Sequence, residues 1–275
     1  MTSDVQGQIA SSEAVSDGRR AGPRQVGRRV AAFMRHGHFD RPQQVASAHL
    51  PNPLSDRGRR EARAAAPAVL AYCDDLGLEL DTRIESSSLL RAWQTASELA
   101  GALEAETGRR FEIEPRDELM ERGLGSCANL RFDEIEALLA RDPRIQALPE
   151  DWRRVPDFRL PVPGAESLLE AGARTAARIE ASLDTLPEDG VDRLRLFVAH
   201  GGCLRHAAVA LGLLDVGVVR RLTMGYAHAV LFERIDSGRW AQVAGEWKKR
   251  LAETPLADPA AAEPPAVSHS KEEDR

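Results

Sequence analysis

Two short apolar runs, each ending in a histidine-glycine pair, set the pattern of this chain. Val30-Ala31-Ala32-Phe33-Met34, preceded by Arg29, stops at Arg35-His36-Gly37, and Leu194-Arg195-Leu196-Phe197-Val198-Ala199 stops at His200-Gly201-Gly202. Runs that are apolar at both parities suit strands buried on both faces, with polar residues delivered at their carboxyl ends. Between them, apolar positions recur with helical spacing over 55–76, 91–106, 131–141 and 167–186. Residues 81–86 and 229–235 read as further strands, and 239–244 as another after the Ser237-Gly238 turn. Pro67 lies inside the first helical pattern and is expected to kink or split it, because it has no N–H to give and crowds the preceding turn. Strands alternating with helices predict a three-layer α/β/α sandwich around a mostly parallel central sheet. In such sheets ligands collect beyond the carboxyl ends of the strands, where both histidine tripeptides fall.

Irregular sequence flanks this region. Up to about residue 27 the chain is rich in Gly, Ser, Gln and Arg; from 253 prolines sit among alanines before a charged end at Lys271-Glu272-Glu273-Asp274-Arg275. Both stretches read as disordered tails around a single domain over 28–252. The first lacks the apolar block of a signal peptide or anchor, so the protein is expected to be cytoplasmic, with no membrane partner. Apolar residues make up 43% of the 275, enough for a sizeable core. Lys and Arg number 37 against 43 Asp and Glu, and a net charge of −6 speaks against nucleic acid as a partner. Any bound anion must therefore meet a local basic pocket. Cys73, Cys127 and Cys203 are far apart and form no CxxC pair, which fits reduced thiols rather than disulfides or zinc. The run Val209–Leu214 reads as core rather than interface, and a monomer or homodimer is expected.

The chemistry concentrates at the two tripeptides. Arg35 offers a bidentate fork for phosphate oxygens, a neutral His36 offers a nucleophile, and Gly37 lets backbone N–H groups approach an anion. His200-Gly201-Gly202 repeats the pattern, and a second imidazole beside the first would donate to a phosphate oxygen in the transition state. Ser87-Ser88-Leu89-Leu90-Arg91 passes from strand into helix, placing Arg91 at a helix start, where the dipole also favours anions.

These residues resemble the histidine phosphatase superfamily, which includes cofactor-dependent phosphoglycerate mutases and phosphatases. The resemblance spans about 29–235 and rests on motifs in the family's order: Arg35-His36-Gly37, Pro53-Leu54-Ser55-Asp56-Arg57-Gly58, Ser88-Leu89-Leu90-Arg91-Ala92-Trp93-Gln94-Thr95-Ala96, Pro163-Gly164-Ala165-Glu166-Ser167 and His200-Gly201-Gly202. It implies a phosphoglycerate mutase-like fold, with His36 as the phosphorylated nucleophile and Arg35, Arg91 and His200 holding the phosphoryl group. It also implies an acidic proton donor after the third strand. Leu119-Met120-Glu121 with Gly125 matches that pattern, with Glu118 as the rival. Gly37, His38 and Gly201 are expected to line the substrate site, His206 to be structural, His228 to approach the rim, and His49 and His269 to lie at the surface and in the tail. No metal or other cofactor is expected, since arginines and a second histidine supply the positive charge.

The expected partner is a small phosphorylated substrate, and phosphatase is favoured over mutase. The mutases continue past the tripeptide with Ser, Trp and Asn, whereas this chain continues His38-Phe39-Asp40-Arg41-Pro42, with Pro42 about where their asparagine stands. Gly123-Leu124-Gly125-Ser126-Cys127 likewise departs from their tyrosine-glycine and lysine pattern. Residues 123–163 read as a cap-like insertion whose Trp152, Arg153, Arg154, Phe158 and Arg159 are candidates for an anionic substrate. A non-catalytic module that senses a phosphorylated ligand is the alternative outside catalysis.

Overall fold

In the computed structural model, which describes residues 27–250 apart from Ser237, the first apolar run is a strand buried on both faces. This is β1 (Arg29–Arg35). The chain continues through α1 (Asp56–Ala64), α2 (Ala66–Leu76), β2 (Glu79–Ser87), α3 (Leu90–Thr107), β3 (Glu112–Arg116), α4 (Phe132–Leu139), α5 (Leu168–Asp184), β4 (Arg193–Ala199) and α6 (Gly201–Ala210). It closes with α7 (Val216–Val219), β5 (Leu222–Thr223), β6 (Ala229–Asp236), β7 (Arg239–Ala244) and β8 (Lys248–Lys249). Six strands form one sheet in the order β3-β2-β4-β1-β6-β7, and β5 pairs with β8 in a small second one. The first four positions of the large sheet are mutually parallel; β6 and β7 close its edge antiparallel. The tails expected over 1–27 and 253–275 fall outside the described residues, save Gly27.

Alternation along β1 divides the core. Val30, Ala32 and Met34 pack with Val69 of α2, with Leu99 and Leu103 of α3, and with Leu196 of β4. Ala31 and Phe33 face the other way, onto Ile179 and Leu183 of α5 and Leu204 of α6. Two helical layers thus cover one sheet, the arrangement predicted from the sequence. Arg195 interrupts the apolar β4 run because it is buried in a polar network: Nε meets Asp81 at 2.5 Å, and Nη1 donates to Ser182 O, Ser182 Oγ and Thr185 Oγ1. A third apolar cluster stands apart from the sheet, built from Ala46 and, within 124–165, residues such as Ile135, Leu139, Trp152 and Leu160.

The first helical pattern is split as expected. Pro67 falls in the first turn of α2, where a missing N–H costs nothing, and Ala65 joins α1 to α2. Ser55 caps α1 by accepting from Gly58 N at 3.2 Å. Gly58 also permits a close approach: a Cβ there would overlap the His38 carbonyl, and one on Gly37 would lie 2.6 Å from Gly58 O. The tripeptide loop is therefore seated directly on α1. Ordinarily a helical Gly→Ala change gains about 0.5–1 kcal/mol. Gly58→Ala is expected instead to lower the unfolding free energy by about 1–3 kcal/mol through backbone overlap, a sign read directly from urea midpoints.

Candidate active site

Neighbouring strand ends bring the tripeptides together. His36 N donates to Ala199 O at 2.9 Å, continuing the β1–β4 ladder one residue past Arg35, and the two imidazole centroids are 5.1 Å apart. His36 Nδ1 lies 2.7 Å from Gly37 O; a carbonyl only accepts, so Nδ1 carries the hydrogen and Nε2 keeps its lone pair. Arg91 Nε donates to that Nε2 at 3.3 Å, and Arg91 Nη2 meets His200 Nδ1 at 3.1 Å. Because guanidinium only donates, His200 Nδ1 is an acceptor and its Nε2–H faces Ser87 Oγ at 2.8 Å. Arg91 is anchored from outside by the carbonyls of Ala48 and Leu50.

Both rings are nearly inaccessible and held neutral. Burial first, then the charges of Arg91 and Arg35, depress the His36 pKa well below its ordinary value; burial and Arg91 do the same to His200. Burial also lowers Arg91, to about 10, which leaves it charged at neutral pH. Arg35 stacks over the Tyr226 ring at 4.1 Å and donates from Nη1 to Met224 O, while its buried Nε has no protein partner.

Glu121 completes the group from the loop after β3. Its carboxylate accepts from the backbone of Arg122 (3.0 Å), Gly202 and Cys203 (2.8 Å each), the last two at the start of α6. Burial pushes its pKa up, but these amides and the charges of Arg205 and Arg91 outweigh that and hold it below the usual range. The loop is clamped by Arg174, which donates to the carbonyls of Glu118 and Met120 and pairs with Glu166, itself accepting from Gly123 N. A cavity of about 320 Å³ opens here, lined by Arg35, His36, Arg91, Glu121, Gly201 and Arg205 among others. Among the described residues, no three or more His, Cys, Asp or Glu are grouped to hold a metal ion.

The sequence profile of the histidine phosphatase superfamily (branch 1) matches residues 31–247. The chain belongs to that superfamily. Solved structures extend the likeness: "Mycobacterial hydrolase 1" is 29% identical, with 79% of this chain and 97% of that one covered at a TM-score of 0.58. A mycobacterial glucosyl-3-phosphoglycerate phosphatase is 27% identical over 78% of this chain and 97% of its own, also at 0.58. A phosphoglycerate mutase from Bacillus anthracis, 17% identical over 80% and 94%, shares the fold at 0.57. No curated protein matches the chain. Superfamily and neighbours together indicate phosphatase or mutase chemistry.

In this member of the superfamily the structure gathers His36, Arg35, Arg91, Glu121 and His200 within one group, and Glu118 stays exposed outside it. Several expectations need correction. His200 does not line the cavity; it touches it through Arg91. Gly37 gives its N–H to Thr95 Oγ1 at 2.9 Å, so its role is close packing rather than anion contact. His38 turns from the cavity, with its N–H on Glu61 and its ring on Ser55 Oγ. His49 is not a surface group: its ring nitrogen lies 3.0 Å from Glu121 O. His206 lines the cavity, donates from Nδ1 to Gly202 O and leaves Nε2 buried without a partner. His228 is exposed and outside the lining, and His269 lies outside the described residues. Of the aromatic and basic candidates in 123–163, Arg153 and Arg154 line the cavity. Trp152 is buried in the third cluster, Phe158 packs against it, and Arg159 pairs with Glu170.

Sequence reasoning missed Tyr226, Phe39 and Arg205. Phe39 stands edge-on to His36 with Arg91 over its face. Arg205, one turn into α6 on the side of Gly201, was legible from its i+4 spacing; Tyr226 had no such signal.

Neutral burial makes stability pH-dependent. A histidine whose folded pKa is depressed contributes stability that is complete above its unfolded value near 6.5 and is lost as pH falls toward the folded value. Wild-type unfolding free energy is expected to drop between pH 7.5 and 5.5, by up to about 1.4 kcal/mol per pH unit for each proton taken up. The His36→Asn/His200→Asn form should drop less, and equal slopes in urea titrations would contradict the assigned neutral state.

Proposed function

We propose that this protein hydrolyses a small phosphomonoester through a phosphohistidine on His36. The observation that carries the reading is the His36 Nε2 lone pair, held beside the cavity by the Nδ1–H bond to Gly37 O and met by Arg91, with the unpartnered Arg35 Nε close by. A phosphoryl group takes over the Arg91 donors and satisfies Arg35, and Nε2 attacks phosphorus as the P–O bond to the leaving group breaks. The leaving oxygen keeps that electron pair and takes a proton from Glu121. Water then attacks phosphorus, returns a proton to Glu121, and the P–N bond breaks to restore neutral His36.

Glu121 is ionised in the free protein, so it must gain its proton with the substrate. Bound phosphate brings negative charge beside it, which raises a carboxyl pKa. The three amides fix its oxygens at the mouth of α6 in both steps. His200 serves from behind: with its Nε2–H on Ser87 Oγ, its Nδ1 accepts from Arg91 Nη2 and holds that guanidinium where the phosphoryl group binds.

Water as acceptor is favoured by Pro42, which has no amide to offer where the mutases have asparagine. The glucosyl-3-phosphoglycerate phosphatase neighbour supports hydrolysis too, and the cavity volume suits a small molecule.

Against 4-nitrophenyl phosphate, His36→Ala is expected to lose about a thousandfold or more in turnover and to yield no acid-labile phosphoprotein from labelled substrate. Equal turnover by both forms ends the nucleophile assignment. Glu121→Gln should lose about a hundredfold on an alkyl phosphate and far less on the nitrophenyl ester, whose leaving oxygen needs no proton. Isomerisation of 3-phosphoglycerate, primed with its bisphosphate, at a rate above hydrolysis would replace phosphatase by mutase.

A further inference from the structure

One peptide unit beside the cavity is held from both ends. Its carbonyl, on Glu121, lies 3.0 Å from His49 Nε2, and its N–H, on Arg122, donates to Glu121 Oε1 at 3.0 Å. A carbonyl only accepts, so His49 Nε2 carries a hydrogen and donates it. A peptide group is planar, with its oxygen and hydrogen pointing opposite ways. The bond from His49 therefore fixes where the Arg122 N–H points, and it points at the Glu121 carboxylate. A bond accepted at the carbonyl also strengthens the donor at the other end of the unit.

His49 is itself firmly placed. It ends a single helical turn, Ser47–His49, and the carbonyls next to it in the chain, those of Ala48 and Leu50, anchor Arg91. Buried Ala46 ties the start of that turn to the 124–165 segment, donating to Leu130 O at 2.8 Å and accepting from Asn129 N. The half-buried imidazole thus reaches from the segment that holds Arg91 to the segment that carries Glu121. Arg174 and Glu166 hold the same loop through the neighbouring peptides, at Met120 O and Gly123 N. His49 is outside the cavity lining, so it acts through Glu121.

We propose that His49 is the positioning residue for proton donation: through the 121–122 peptide it aims the Glu121 carboxyl group at the leaving oxygen, from the same short segment that anchors Arg91. The role rests on the reading of Glu121 as proton donor. A carboxylate released from its Arg122 bond takes up a proton more readily, which helps a donor. Misplacement by about 1 Å costs up to about a hundredfold, so aim decides the sign.

Two amides of different reach test it. Glutamine puts an N–H about where the histidine Nε2 stands; asparagine, one methylene shorter, puts it about where Nδ1 stands, short of Glu121 O. For the full chain, kcat is measured on glycerol 3-phosphate, whose leaving alkoxide needs a proton, and on 4-nitrophenyl phosphate, whose leaving oxygen does not. In His49→Asn the glycerol-to-nitrophenyl ratio should fall about tenfold, and in His49→Gln it should stay within about twofold of wild type. An unchanged ratio in His49→Asn, with or without a loss common to both esters, would overturn the proposal, as would an equal fall in both variants. Amide hydrogen exchange supplies a reading independent of turnover. The amides of Arg122, Gly202 and Cys203, which the Glu121 carboxylate accepts from, should exchange about threefold or more faster in His49→Asn and at the wild-type rate in His49→Gln. Unchanged exchange in His49→Asn refutes the role as well. If Glu121→Gln leaves the ratio unchanged, or neither ester is hydrolysed, the proton-donor reading fails by itself, and exchange alone decides whether His49 holds the carboxylate.

Discussion

Everything at this site follows from the parallel pairing of β1 with β4. In that register Arg35 lies opposite Ala199, so the next residues of both strands, His36 and His200, leave the sheet side by side. β2 pairs with the other edge of β4, and Ser87 at its end comes within reach of His200. A slip of one residue would send an imidazole to the opposite face and bury an apolar side chain where the cavity is. The register is fixed by two apolar layers, because β1 and β4 bury alternate side chains against different helices and neither face tolerates the exchange.

Arg91 converts that adjacency into a working arrangement. One guanidinium touches both imidazoles and two loop carbonyls, so its position is determined from four directions. Its charge and the surrounding burial keep both rings unprotonated, and a lone pair is the condition for attack on phosphorus. Burial of such a cation is costly unless its hydrogens are used; here they meet ring nitrogens and carbonyls, groups that an incoming anion can outcompete. Glu121 uses the opposite device, since the amides at the head of α6 hold a negative charge.

The sequence disclosed these parts unequally. Strands with both parities apolar and helices with regular spacing were legible, and β7 appears over the residues expected, 239–244. The short β3 was not read from periodicity, because Glu112-Ile113-Glu114-Pro115-Arg116 carries one apolar side chain in five. Strand-end histidines and the arginine of α3 were visible because strand and helix ends deliver residues to predictable places. Tyr226 and His49 were not, because each reaches its partner from a loop whose path depends on tertiary contacts. Gly37 shows the subtler difficulty: a glycine in a phosphate-type motif suggests anion contact, yet its missing side chain here makes room for the backbone of α1.

The third apolar cluster has a consequence for how the cavity is walled. Because Ile135, Leu139, Trp152 and Leu160 pack mainly with residues of their own segment, that lobe is stabilised apart from the two layers that fix the strand ends. Its apolar contacts are separate from the two layers that hold the register of β1 and β4. The lobe thus gives the cavity part of its wall, through Arg153 and Arg154, while resting on contacts separate from those that set the strand ends.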